Sequence, residues 1–188
     1  MLKKTLTVAC CGLVLMAVAA AERHRDPLTG AEVDQLRDTA QEPDKRLKLY
    51  VDFIRIRLNE VTDSLTNSKV TDKAQAIHDR LQDFLDLYDE LNDNLDVYAD
   101  RKYDMRKGLK GVIEADNEFQ AKLQALKSSA SATPAQEKTY DFVLTNAIDS
   151  VNDSIKDHQD LMNEQNELAK HKQLVKPEEQ QNVARPHS

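Results

Sequence analysis

Residues 74–126 read AQAIHDRLQDFLDLYDELNDNLDVYADRKYDMRKGLKGVIEADNEFQAKLQAL, and their apolar side chains return on a seven-residue beat. One row holds Ala74, Leu81, Tyr88, Leu95, Lys102, Leu109, Asp116 and Leu123; the other holds Ile77, Phe84, Leu91, Tyr98, Met105, Val112, Phe119 and Leu126. Fourteen of the sixteen are apolar, Lys102 and Asp116 being the exceptions. Spacings of three and four put all of them on one side of an α-helix, which other helices must then cover. The stripe predicts one long helix over 70–127, because no proline interrupts it and only Gly108 and Gly111 weaken it. Unbroken, about 58 residues would reach about 87 Å at 1.5 Å per residue. A break between Tyr103 and Gly111 is the alternative, and would fold the same stripe into a compact four-helix bundle.

The rest of the chain supplies partners for that stripe. Thr29-Gly30-Ala31-Glu32 fits a capping box, and Val33, Leu36 and Ala40 give the short helix after it one apolar edge. From Asp44 to about Asn67, the residues Leu47, Val51, Ile54, Leu58, Val61 and Leu65 step by four and three, a second amphipathic helix. Residues 66–68 make a turn. Residues 128–132 form a small-residue linker, and Thr133-Pro134-Ala135-Gln136 starts a last helix that reaches about Val175 before Pro177. Phe84, Tyr88, Tyr98 and Phe119 are bulky for a two-stranded interface, and Leu85, Leu87 and Ile113 widen the stripe, so three or four helices share one core. The expected fold is all-α: an elongated antiparallel bundle or coiled coil with one long central helix, occupying residues 30–175 as a single domain. Residues 22–29 are a polar lead-in and 176–188 a disordered tail.

Residues 1–21 have the three-part layout of a secretory signal: Lys3 and Lys4, an apolar run through Leu13, Val14, Leu15 and Met16, then Ala19-Ala20-Ala21. Cleavage after Ala21 removes both cysteines, so the mature chain has no disulfide, thiolate nucleophile or thiolate metal ligand. It also leaves 24 basic against 33 acidic residues, a formal charge of -9. The expected location is periplasmic or secreted, with no transmembrane segment after cleavage. A surface this acidic repels phosphate backbones, so nucleic acid is not an expected partner.

Little in the chain carries chemistry. His158 stands on an otherwise apolar line between Ile155 and Met162, and folding the last hairpin about residue 131 sets it near Lys102, Met105 and Tyr98. His158, Met162, Met105, Tyr98 and Lys102 are therefore the ligand candidates, because imidazole and thioether serve as haem ligands in some bundles. The competing reading is a buried polar layer that fixes helix register. Asp79, Asp83, Asp86, Glu90, Asp93 and Asp96 form an acidic run opposite the stripe, followed by Arg101, Arg106, Lys107 and Lys110. Both are candidate interaction surfaces, and a solvated face is the plainer account of the acids. No nucleophile elbow, Walker loop, His-Glu-x-x-His or dinucleotide fingerprint occurs, and neither catalytic residues, a metal site nor a cofactor is assigned. The expectation is a non-enzymatic, exported helical protein acting by protein–protein recognition, scaffolding or self-association in the cell envelope. A haem or small-ligand carrier built on the His158 region and a periplasmic holdase chaperone are the alternatives.

Overall fold

The computed structural model describes residues 25–129 and 134–175. The stretch read as a secretory signal, most of the expected linker with the Thr133 cap, and the expected tail lie outside them. Five helices run in order: α1 (Gly30–Asp38), α2 (Pro43–Thr66), α3 (Lys73–Asp100), α4 (Arg106–Lys127) and α5 (Pro134–Lys170). Among the described residues the only β feature is an isolated bridge between Tyr103 and Val175. The all-α bundle read from the sequence is therefore the fold, and the capping box is in place. Thr29 accepts the Glu32 amide while the Glu32 carboxylate accepts the Thr29 amide.

The single long helix is corrected: it is two helices, α3 and α4, separated by residues 101–105. The turn closes α3 from its own end. The Lys102 amide donates to Ala99 O at 2.8 Å and the Tyr103 amide to Tyr98 O at 3.0 Å, with Lys102 in the left-handed region at φ 55°. That is a Schellman ending with lysine where glycine is usual. The end of α5 repeats it: Lys172 sits at φ 54°, its amide on Ala169 O and the Gln173 amide on Leu168 O. The last helix therefore stops at Lys170, several residues before Val175. The chain after each turn then meets the other, Asp104 N donating to Val175 O at 3.1 Å and Val175 N to Lys102 O at 2.8 Å.

Four helices form a square in which α2 packs on α3 and α4, and α5 packs on the same two. Bonds such as Arg46–Asn94 and Tyr50–Glu90 make α2 and α3 antiparallel. Gln120–Asn152 and Lys127–Thr145 do the same for α4 and α5. Across the other two edges the partners run parallel, Arg55 beside Glu118 and Asn59 beside Lys122 for α2 and α4. The consecutive helices α3 and α4 thus face each other along the diagonal rather than lying side by side. Aromatic rings fill that diagonal. Phe84 and Tyr88 stack at 5.7 Å, Phe119 meets Phe84 edge-on at 5.6 Å, and all three are fully buried.

Candidate functional site

A polar layer crosses the bundle one turn beyond the aromatic cluster. Asp116 on α4, 1 % exposed, accepts the Tyr88 hydroxyl on Oδ1 at 2.8 Å, and its Oδ2 lies 2.8 Å from His158 Nδ1. His158 Nε2 lies 3.1 Å from the Asn92 amide oxygen, and the Asn92 amide nitrogen donates to Ser154 Oγ at 3.2 Å. Helices α3, α4 and α5 each contribute, so a slip of one turn in any of them would strand a buried polar group. Burial, reinforced by the Asp116 charge, holds the Tyr88 phenol well above the usual tyrosine range, so it serves as a donor. Asp, His and Ser occur together here without forming a nucleophilic relay. The Ser154 hydroxyl meets Asn92, not the imidazole, and no base–nucleophile bond exists.

The hairpin register differs from the sequence expectation. His158 faces Asp116, twelve residues beyond position 104, because Lys127 at the end of α4 already lies beside Thr145. The first eleven residues of α5 run past the end of α4 before the two helices are level. His158 is consequently not brought to Lys102, Met105 and Tyr98. Those three lie at the 101–105 end: Tyr98 against the Tyr103 ring at 6.0 Å, Lys102 exposed in the turn, and Met105 buried with its amide donating to Gln165 Oε1 at 3.3 Å. Met162 is half-buried against the core. Both ring nitrogens of His158 already have partners, and ligation would require breaking one of those bonds.

The charged candidates separate into buried and exposed sets. Asp83 is buried, pairing with Arg25 and with Arg80 at 2.9 Å, and Glu90 turns toward α2 to accept the Tyr50 hydroxyl at 3.1 Å. These two serve the fold rather than a solvated stripe. Asp79 and Asp86 are half-exposed and accept side-chain amides of Gln75 and Gln82 on their own helix, whereas Asp89, Asp93, Asp96 and Asp100 stand exposed on α3. Partial desolvation of its carboxyl, then the neighbouring Asp86 and Asp93 charges, push Asp89 up. Of the basic band, Arg106 pairs with Asp104 at 2.7 Å and Lys110 with Glu114 at 3.8 Å. Among the described residues Arg101, Lys102 and Lys107 make no ion pair.

The square sorts these charges in a way the linear chain hides. Helix α3 carries two basic and eight acidic residues and α5 three and eight, whereas α2 has five and four and α4 five and three. The parallel pair α3/α5 therefore holds a formal -11 and the parallel pair α2/α4 a formal +3. Between α2 and α4 lies a groove of about 280 Å³ lined by Asp44, Lys45, Lys48, Val51, Lys107, Gly108 and Gly111. Gly108 lets α2 and α4 close together at the groove, since a Cβ there would come within 3.0 Å of the Asp44 Cα and of Leu47 Cδ1. Among the described residues the large apolar side chains left exposed, Ile56, Val97 and Phe142, stand on three different helices. Among the described residues no helix is long and apolar enough to cross a membrane.

No protein-family model matches this sequence, and no curated protein or solved structure matches it.

Proposed function

We propose that this chain is an exported, non-enzymatic protein of the cell envelope that works by recognising or holding other proteins through its charged faces. The observation that carries the reading is the division of charge between the two parallel helix pairs. The excess of acids over bases on α3/α5 raises the energy of the free surface, and a basic partner relieves it. The signal-like start of the chain supports export. The polar layer has hydrogen-bond partners for all its groups and lies inside the bundle, which favours a structural role for His158 over a ligand site.

The test is in-cell crosslinking of the chain against a variant carrying Asp89→Asn, Asp93→Asn and Asp96→Asn. The expected result is a defined set of crosslinked proteins, sensitive to salt and lost in the variant. An identical pattern for both chains, or no adduct at all, refutes recognition through the acidic face.

A further inference from the structure

We propose that copies of this chain associate side by side, the Val97 ridge of one seating in the lysine-rimmed groove between α2 and α4 of the next. Val97 is 43 % exposed on α3, and Asp93, Asp96 and Asp100 surround it at the i−4, i−1 and i+3 positions. The i−4 and i+3 offsets place the Asp93 and Asp100 carboxylates beside one apolar tip, with Asp96 adjacent in sequence. The groove is opposite in net charge: an apolar floor at Val51, with Lys45, Lys48 and Lys107 around it and Asp44 bound to the Gly108 amide. Gly111 leaves α4 bare there, and a Cβ on it would meet nothing within 4 Å, so a neighbouring helix can approach closely.

The lysines are free to change partners. Lys107 makes no ion pair among the described residues. Lys45 pairs with Glu42, and Lys48 with Asp52, only through exposed contacts along their own helix, a class that contributes little to stability. The Arg46–Asn94 bond at 3.0 Å sets the start of α2 level with the end of α3, so ridge and groove lie toward the same end of the bundle. Because ridge and groove are different surfaces, the contact is heterologous and does not close on itself. It therefore predicts a ladder of species that grows with concentration. The patch is small, so the association is weak and screened by salt.

This inference rests on the recognition reading above and names one partner for it. The test is sedimentation velocity of the purified chain across concentration and salt, with two charge-reversed variants, Lys48→Glu/Lys107→Glu and Asp93→Lys/Asp96→Lys. The wild type is expected to form a ladder that 0.5 M salt dissolves, and each variant alone to weaken association at least ten-fold. The two variants mixed should associate again, since each then meets an opposite charge. Val97→Ser, which leaves the charge unchanged, should also weaken it several-fold. A wild type that stays monomeric at every concentration overturns the proposal, as does association indifferent to these variants. Crosslinks from Lys48 or Lys107 to Glu178 or Glu179 of the same copy would also overturn it, by assigning the groove to the chain's own tail. A monomer that still captures partners through Asp89, Asp93 and Asp96 would leave the recognition reading standing and remove only self-association.

Discussion

Asp44 on α2 caps a helix that begins more than sixty residues later: its Oδ1 accepts the Gly108 amide at 2.7 Å, at the third position of α4. Met105, the residue at the N-cap of α4, offers no side-chain acceptor, so the free amide is satisfied from a neighbouring helix. The bond requires the two backbones to come close, and glycine at 108 permits it.

Replacing that glycine should therefore cost stability even though alanine is the better helix former. A Cβ at 108 meets Asp44 Cα and Leu47 Cδ1, each at 3.0 Å, and forcing α2 away from α4 should lose about 1–3 kcal/mol. Gly111→Ala, in open space, should gain about 0.5–1 kcal/mol. Urea denaturation of the two single variants separates them. Equal effects would show that α2 and α4 do not approach as described.

Lys102 offers the opposite case. A lysine at φ 55° carries a steric cost that glycine lacks, so Lys102→Gly should stabilise by about 1 kcal/mol. Thermal melts of this variant beside Lys102→Ala test the point. Alanine keeps the Cβ and should gain nothing.

The polar layer should be worth more as a constraint than as a source of stability. Asp116→Ala leaves the Tyr88 hydroxyl and an imidazole N–H without their acceptor, and should cost about 3–5 kcal/mol. Replacing the trio together, by Tyr88→Phe, Asp116→Leu and His158→Leu, should recover most of that loss. A triple variant no better than Asp116→Ala would show that the layer itself stabilises the fold.

Acid and alkali should act through different groups. Burial pushes the Glu32 and Glu118 carboxyls up, but hydrogen bonds from Arg57 and the Thr29 amide to Glu32, and from Lys122 and Arg55 to Glu118, leave both net below the usual glutamate value. Each therefore contributes stability that is present above the unfolded value of about 4.3. That contribution is lost as pH falls through the lower folded value. Tyr88 is raised, so its contribution is complete below about 10 and declines as pH climbs past that unfolded value. Glu32→Gln should flatten the acid limb of a stability–pH curve and Tyr88→Phe the alkaline limb. Unchanged limbs would contradict these assignments.

Much of this fold was legible because burial leaves a period. The stripe, the capping box and the boundaries of α2 all follow from the order of apolar and capping residues. The break after Asp100 was not legible from periodicity, because α3 and α4 keep the same heptad phase on both sides of the turn. Its signal lay in the exceptions. Lys102 interrupts the stripe where the backbone turns left-handed, and Asp116 interrupts it where His158 and Tyr88 converge. The partners of His158 were hidden by the overhang of α5, since a hairpin register counted from the middle of a linker assumes that both helices start level. The division of charge was hidden for a different reason. It depends on which helices are neighbours, and that is decided by the diagonal crossing between α3 and α4.

The contact between Val175 and the 102–104 backbone also has a consequence in time. A chain is made from its N-terminus, and the hairpin of α2 and α3 can pair as soon as both have emerged. The turn that sends α4 back across the diagonal is different, because two of its backbone hydrogen bonds go to a residue that follows α5. The middle of the molecule is thus completed by its last described residue. Until Val175 arrives, residues 101–105 lack that clasp, and only the bonds that close α3 from its own end hold the bend.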